Sequence, residues 1–584
     1  MKPQLVSGNE ALALGALRAG VRMVTGYPGT PSTRALASLL AMNLPGRHVE
    51  WSTNEKVALE VATGAAWAGQ RALCTMKMSG LNVAFDSLVS IAYSGVNGGL
   101  VIYVADDPGT SAGMVEQDSR GFARMADLPM LEPASPAEAY RLVQVAFDLS
   151  EQVHTPVFLR MVTAVANSRA VAEVGEPQPP PQRTPLLDRD VTRYTKAGSA
   201  ICMEQHRQLI ARLEDAADAI HQLGLNQLVL APEAGGLGIL AGGLTAACLD
   251  EAFDLLAGLG IDRRRVSVLK IASTHPFPRQ EARQILAHCS VLLVLEELEP
   301  YIEQDLVVEA YQLGVHPRIV GKRDGAFSRV GEVSVRQVAQ GIARALGLEL
   351  PAGFLSVDQE AEKLAAGRPI TVCAGCPHRG TFLAINQALR RLHYRKNEVM
   401  VTGDIGCTIL GMNPPFETVW NEIAMGASVA LAQGFALSGV KTPVIATMGD
   451  STFFHAGIPG LVNVIQHQVP LTLIIMDNGW TAMTGMQANA GTAPCFQTGD
   501  NQRVDIASIV PALGVEQFFV MDPFDLEAST ATVQNALQLP GVKVILSRRE
   551  CAIQSGRRSE RLGTAEAPGL GLGRPPEMRD LSPA

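Results

Sequence analysis

No apolar run in this chain approaches the roughly 18 residues needed to cross a bilayer, although 47% of its residues are hydrophobic. The amino-terminal stretch MKPQLVSGNEALALGALRAG lacks a charged leader followed by a continuous apolar segment and a cleavage site. There is no basic block, and a formal net charge of −9 over 584 residues argues against a nucleic-acid partner. The expectation is a cytoplasmic protein that contacts neither membrane nor nucleic acid. Internal repeats and long low-complexity tracts are also missing, and no cysteine follows Cys551. What remains is a large globular chain with room for about three to four domains.

Alternation of helical and apolar strand-like segments organises that chain. Residues 1 to 170, with strands such as GLVIYVA and TPVFLRMV, read as a doubly wound α/β domain. A proline-rich connector, GEPQPPPQRTPLL, marks a linker over 171–197, too poor in backbone donors for a core element. A second α/β unit is expected over 198–350, with strands in NQLVLAPE, VSVLKI and SVLLVLEEL. Past the PAGF segment a third unit occupies 360–552, and residues 553–584, rich in Gly, Pro and charge, are expected to be disordered.

The third unit carries the most informative stretch, Gly449 to Gly485. Asp450 follows Gly449 at the end of the run PVIATM, and a helical segment with Ile458, Leu461, Val462 and Ile465 leads to a second run, LTLIIM, ending in Asp477-Asn478-Gly479. Parallel strands joined by a crossover helix set their carboxyl ends side by side, so Asp450 and Asn478 can meet at one ion. Hard oxygen ligands at such a place suit magnesium with phosphate oxygens. Gly403, Asp404, Gly406 and Cys407 in GDIGC, like Gly449, let backbone amides approach phosphate closely. The plain alternative is a strand, a helix and an Asn-Gly turn with no cofactor.

Other residues carry chemistry less specifically. Glu55 enters a helix whose small residues Ala58, Ala62 and Ala65 permit close packing; by itself it could simply complement the helix dipole. Thr30, in GYPGTPST, stands where its hydroxyl and nearby amides can face an anion, but Ser32 or Thr33 could equally cap a helix there, with Arg34 a solvated neighbour. The loop DDPGTSAGMVEQDSR offers Glu116, Gln117, Asp118 and Arg120. His378 and His455 flank the cofactor-type motifs and suit either proton transfer or a structural hydrogen bond. Cys74, Cys202, Cys248 and Cys289 sit among apolar or helical residues as buried thiols do, and Cys495 lies in a loop. Cys373, Cys376, Cys407 and Cys551 stand just outside predicted elements of the third unit. Four such thiolates suit a tetrahedral zinc or a four-iron cluster; free thiols are the plain alternative.

Taken together, TGYPGTPST, TNEKVALEVATGAA, DDPGTSAGMVEQDSR, CAGCPHRG, GDIGCTILG, GDSTFFHAG, DNGWTAMTG and RREC run in order across nearly the whole chain. In that order they resemble the 2-oxoacid:ferredoxin oxidoreductases, and among them the alpha subunits of the indolepyruvate type. The resemblance implies a thiamine diphosphate-binding fold, with a pyrimidine-type domain first, a diphosphate-type domain last and a transketolase C-terminal-like α/β domain between. It assigns Glu55 to the aminopyrimidine and Thr30 to the 2-oxoacid. Magnesium would be held by Asp450, Asn478 and the backbone carbonyl of Trp480. Gly403, Asp404, Gly406, Cys407, Gly449, Ser451, Thr452, Thr481 and His378 would line the cofactor, and Cys373, Cys376, Cys407 and Cys551 would hold a [4Fe-4S] cluster.

The reaction implied is oxidative decarboxylation of an aryl 2-oxoacid to carbon dioxide and an acyl-coenzyme A. The partners implied are a small beta, or gamma-type, subunit in a hetero-oligomer built on an alpha–alpha dimer, and ferredoxin or an equivalent electron acceptor. GDS and DN vary the usual Gly-Asp-Gly and Asn-Asn. The family's alpha subunit usually ends in a ferredoxin-like domain with cysteine-rich cluster motifs. With no cysteine beyond Cys551, the expectation is a relay on another subunit or a different acceptor. A non-oxidative thiamine diphosphate-dependent decarboxylase or carboligase is the alternative.

Overall fold

Strands Leu100–Asp106, Val157–Val162 and Leu471–Asp477 are buried at every residue, as parallel strands are when helices cover both faces of their sheet. The computed structural model describes residues 1–351, 353–354, 360–361, 363–366, 370–493 and 502–562, the side chains of 559–562 excepted. The chain divides into two units, residues 1–366 and 367–584.

The first unit holds two large sheets. In one the order is Ser273–His275, Met130–Leu131, Val157–Val162, Leu100–Asp106, Ala72–Lys77, Met23–Gly26, His48–Trp51, parallel except for the first edge strand. Its helices form two cores, one around Leu36, Leu73 and Tyr103, the other around Leu59, Leu81 and Ile102. The second sheet runs Arg318–Val320, Val291–Leu295, Leu237–Gly242, Ser267–Ile271, Gln227–Val229, with the last strand antiparallel. Its central strand, LGILAG, interrupts a glycine-rich stretch and is wholly buried.

Two boundaries differ from the sequence reading. The helix Ser199–Gln222 packs Leu209 into one core of the first sheet and Ala216, Ala219 and Ile220 into the other, so the first domain's packing extends past residue 198. The proline-rich connector is tied along that domain through Gln178 N to Leu17 O at 3.0 Å and Leu186 N to Ala68 O at 3.1 Å.

The second unit is built on one parallel sheet ordered Met400–Thr402, Val444–Gly449, Leu471–Asp477, Val542–Arg548, Gln517–Met521. Cores lie on both of its faces, around Leu473 and Phe453 on one and Ile474 and Ile385 on the other. Residues Ala552–Leu562, read from composition as part of a disordered tail, form a helix. Its anchor is the Arg558–Glu550 pair, whose bidentate bonds of 2.7 and 2.6 Å are largely screened from water. The rest of the tail lies outside the described residues, as does Cys495. Among the described residues no helix is long and apolar enough to cross a membrane.

Candidate active site

Strand order decides which carboxyl ends meet in a parallel sheet. Gly449 pairs with Met476 on the adjacent strand, so Asp450 and Asn478 leave the sheet side by side. Asp450 opens a single turn, Asp450–Thr452, that runs through a π-helical stretch, Phe453–Gly457, into the helix Ile458–Gln466; such insertions cluster at functional sites. The Asp450 side chain is buried, and burial, with the charge of Asp477 added, pushes its pKa up to about 8. Asn489 donates to its Oδ2 at 2.8 Å. Asn478 Oδ1 accepts the Trp480 amide at 3.0 Å, forming the turn in which Gly479 takes φ 76°, and its Nδ2 lies 3.4 Å from His378 Nε2.

These donors fit a divalent cation carrying phosphate. A buried carboxylate displaced so far toward its neutral form is returned to the anion by a metal ion, and the oxygens of Asp, Asn and backbone are the donors magnesium takes. In front of Gly449 an added Cβ would touch only Thr408 Cγ2, at 3.9 Å, so there is open space at the strand end.

Asp404 behaves differently. Its carboxylate accepts the amides of Ile405 and Gly426, both at 2.9 Å, and of Ser428 at 3.1 Å, which pins the entry to helix Ala427–Leu437. Burial pushes its pKa up to about 6. Gly403 is a packing position, where a Cβ would lie 2.2 Å from Val419 Cγ1, whereas Gly406 is open and takes φ 110°. Thr452 donates to the Ile405 carbonyl at 3.3 Å and Thr481 to Ser451 at 2.9 Å, joining three of the motifs. His378 and His455 are both buried, and burial lowers the His378 pKa to about 4.

Cys376 precedes the helix Pro377–Arg391, Cys407 begins the turn Cys407–Met412, and Cys551 follows strand Val542–Arg548. The Cys551 amide donates to the Asn478 carbonyl at 3.1 Å, which ties REC to the magnesium-type turn. Burial raises the Cys376 thiol to about 11, with Cys551 and Cys373 adding to the shift, and Cys407 to about 12, with Cys376, Cys551 and Cys373 adding to it. Cys373 and Cys376 share one turn, the Cys376 amide donating to the Cys373 carbonyl at 3.2 Å. Among the described residues, however, no three His, Cys, Asp or Glu stand where they could hold one metal ion.

In the first unit Glu55 is the first residue of helix Glu55–Trp67, buried and preceded by Asn54, whose side chain accepts the Val57 amide at 2.9 Å. It lies against Gly80, where a Cβ would stand 2.4 Å from Glu55 Oε1. Thr30 is half-buried between strand Met23–Gly26 and helix Thr33–Met42. Ser32 does not cap that helix; its hydroxyl donates to the Gly29 carbonyl at 2.7 Å. Arg34 is exposed, 3.7 Å from Glu10.

The four residues of the 106–120 loop are engaged within the chain. Gln117 bonds Asn82, and Glu116 accepts the amides of Gly109 and Gly331. Arg120 bridges Asp118 and Glu296 in a buried ion network.

Two family models match the chain: residues 14–223 fit "Pyruvate flavodoxin/ferredoxin oxidoreductase, thiamine diP-bdg" and residues 404–546 fit "Thiamine pyrophosphate enzyme, C-terminal TPP binding domain". The indolepyruvate oxidoreductase subunit IorA of Pyrococcus abyssi is 37% identical over 94% of this chain and 86% of its own length. The chain belongs to the IorA family. The IorA of Archaeoglobus fulgidus is 36% identical over 95% of this chain and 88% of its own. Among solved structures, a 2-oxoglutarate:ferredoxin oxidoreductase from Magnetococcus marinus covers 59% of this chain and 65% of that one at 16% identity and a TM-score of 0.49. As a member of the IorA family the chain is an oxidoreductase subunit with thiamine diphosphate-binding domains.

Sequence reasoning missed several residues that build the site. Asn489 reaches Asp450 from 39 positions away, and Gly80 makes room for Glu55. Gly426, at φ 85°, would put a Cβ 2.7 Å from the Ala456 backbone. Local patterns carry no signal for the first two. The third sits in an irregular loop where its glycine was one among 55.

Proposed function

We propose that this chain is the catalytic large subunit of a coenzyme A-acylating, thiamine diphosphate- and magnesium-dependent oxidoreductase acting on an aryl 2-oxoacid of the indolepyruvate type. The observation that carries the reading is the pairing of Asp450 and Asn478 at adjacent strand ends, with the Cys551 amide fastened to the same turn. Asp450, Asn478 and the Trp480 carbonyl would hold magnesium. Glycines 406 and 449, with Ser451, Thr452 and Thr481, would line the diphosphate, and Glu55 would hold a proton at the aminopyrimidine. When bound, thiamine diphosphate supplies the electron sink for loss of carbon dioxide.

Cys373, Cys376, Cys407 and Cys551 would hold a [4Fe-4S] cluster, and a small beta subunit and a ferredoxin-like protein would be the partners. The relatives' name supports the substrate, and the C-x-x-C pair Cys373 and Cys376, with Cys407 and Cys551 in the same unit, supports the oxidative branch. The test is anaerobic co-expression with the small subunit, followed by iron and acid-labile sulfide analysis and product analysis with indolepyruvate, coenzyme A and a low-potential acceptor dye. Acyl-coenzyme A together with iron lost on Cys373→Ala is the expected result. Free aldehyde and iron-free, active protein would replace this reading with the non-oxidative one.

A further inference from the structure

Backbone geometry sets Cys373 and Cys376 apart from the other cysteines of the second unit. The Cys376 amide donates to the Cys373 carbonyl at 3.2 Å, and Gly375, the third residue of the four, takes φ 69°. These are the features of a type II β-turn, whose third position needs φ above zero and whose end Cα atoms lie within about 7 Å. A disulfide takes Cα separations of about 4.4–6.8 Å, so the turn brings two thiols within the span of one S–S bond. A Cβ added to Gly375 would meet Ala552 Cβ at an ordinary 3.6 Å, so glycine is needed there for conformation rather than for space.

Exposure divides the roles of the two. Cys373 is exposed, and Cys376 is half-buried at the head of helix Pro377–Arg391. A C-x-x-C pair at a helix start is a setting in which cysteines react. Cys407 and Cys551 stand on other elements, the latter buried. With two residues between them, Cys373 and Cys376 have the shortest loop of the set to close. A metal asks for more: among the described residues no three such donors stand where they could hold one ion.

We propose that Cys373 and Cys376 form a reversible dithiol–disulfide couple with low-molecular-weight disulfides, and that its closed form withholds both thiols from any metal. This modification site lies beyond the reaction proposed above and stands whether or not the four cysteines take a cluster. Cys373, as thiolate, attacks one sulfur of the small disulfide, forms a mixed disulfide and releases a thiolate, which takes up the proton that Cys373 gave up. Cys376 then attacks Cys373 Sγ, the S–S bond of the turn forms, and the second small thiol leaves with the Cys376 proton. The chain loses two electrons and the small disulfide gains them. Exposed disulfides are of the labile class that thiols reopen.

The test uses the full chain, reduced and then freed of metal by a chelator under anaerobic conditions. It is equilibrated with glutathione buffers graded from reduced to oxidised, alkylated to trap free thiols, and read by intact mass and peptide mapping. The parent is expected to lose the thiols of Cys373 and Cys376 with no glutathione retained, and to regain both with dithiothreitol. Cys376→Ser should stop at one glutathione on Cys373, and Cys373→Ser should leave Cys376 largely unmodified. Gly375→Ala, which strains the positive φ of the turn, should need a buffer about tenfold more oxidising for half closure. Supplied with iron and sulfide, the reduced chain should take up iron and the closed chain should not.

The proposal is overturned if the folded parent keeps both thiols in oxidising buffer, retains glutathione without closing, or pairs Cys373 with Cys407 or Cys551. Closure of folded Gly375→Ala at the parent's buffer ratio, or iron uptake by the closed chain, would overturn it as well. Closure in a chain that takes up no iron in either state would uphold the couple and overturn the cluster assigned above.

Discussion

Asp450 and Glu297 are two buried carboxyls held toward the neutral form, and they make opposite predictions. Asp450 stands where a cation can compensate it, so Asp450→Asn is expected to lower magnesium-dependent thiamine diphosphate affinity by about 100-fold while leaving the cofactor-free chain as stable or more so. Fluorescence titration and thermal melts with and without cofactor read the two effects separately. Glu297 has no such role: its oxygens accept the Val333 amide at 3.2 Å, and burial pushes its pKa up to about 7 from 4.5. A carboxyl whose folded pKa exceeds its unfolded one contributes stability that is complete below about 4.5 and is lost as pH rises through about 7. Glu297→Gln should therefore raise Tm by a few degrees at pH 8.5 and leave it nearly unchanged, or slightly lowered, at pH 4.5, as differential scanning calorimetry would register.

At the scale of elements, close backbone approach sets what the helices can do. Helix Pro377–Arg391 packs on helix Leu526–Gln538, sharing the core of Ala384, Ile385, Val533 and Ala536. It comes near enough to the preceding turn that a Cβ on Gly380 would lie 2.0 Å from the Pro523 carbonyl oxygen. Backbone cannot yield as a flexible side chain does, so Gly380→Ala should cost about 1–3 kcal/mol. Because the same helix carries His378 beside Asn478, the variant should also weaken cofactor binding, a coupling that a denaturant melt and a cofactor titration on one sample would expose. Gly238 teaches a related point. A Cβ there would stand 2.7 Å from Leu292 and 2.9 Å from the Cys289 sulfur, so the central strand Leu237–Gly242 needs the residue that disguises it in the sequence, where glycine reads as punctuation rather than strand.

Across the first unit a buried ion network joins elements far apart in the chain. Arg120 bonds Asp118 at 2.6 Å and Glu296 at 2.7 Å, and Arg160 bonds Asp106 at 2.7 Å and also Glu132. Removing one partner of such a set leaves uncompensated charge, so Arg120→Met should destabilise by about 3–5 kcal/mol, an effect to be measured by urea unfolding of the unit's tryptophan signal. From the motif alone Asp118 and Arg120 were candidates for the active site; burial and pairing make them part of the framework. What the sequence determined by itself was everything with a local period or local punctuation. Continuous apolar runs specify buried parallel strands, a Gly-Asp or Asp-Asn pair marks their carboxyl ends, and the order of the motifs specifies the family. Only the tertiary structure decided which distant groups meet: Asn489 on Asp450, the Cys551 amide on the Asn478 carbonyl, helix Ser199–Gln222 on the first domain, and Gly80 against Glu55. Those meetings follow from strand order and helix packing, which depend on how whole faces fit together, and no window of neighbouring residues encodes that fit.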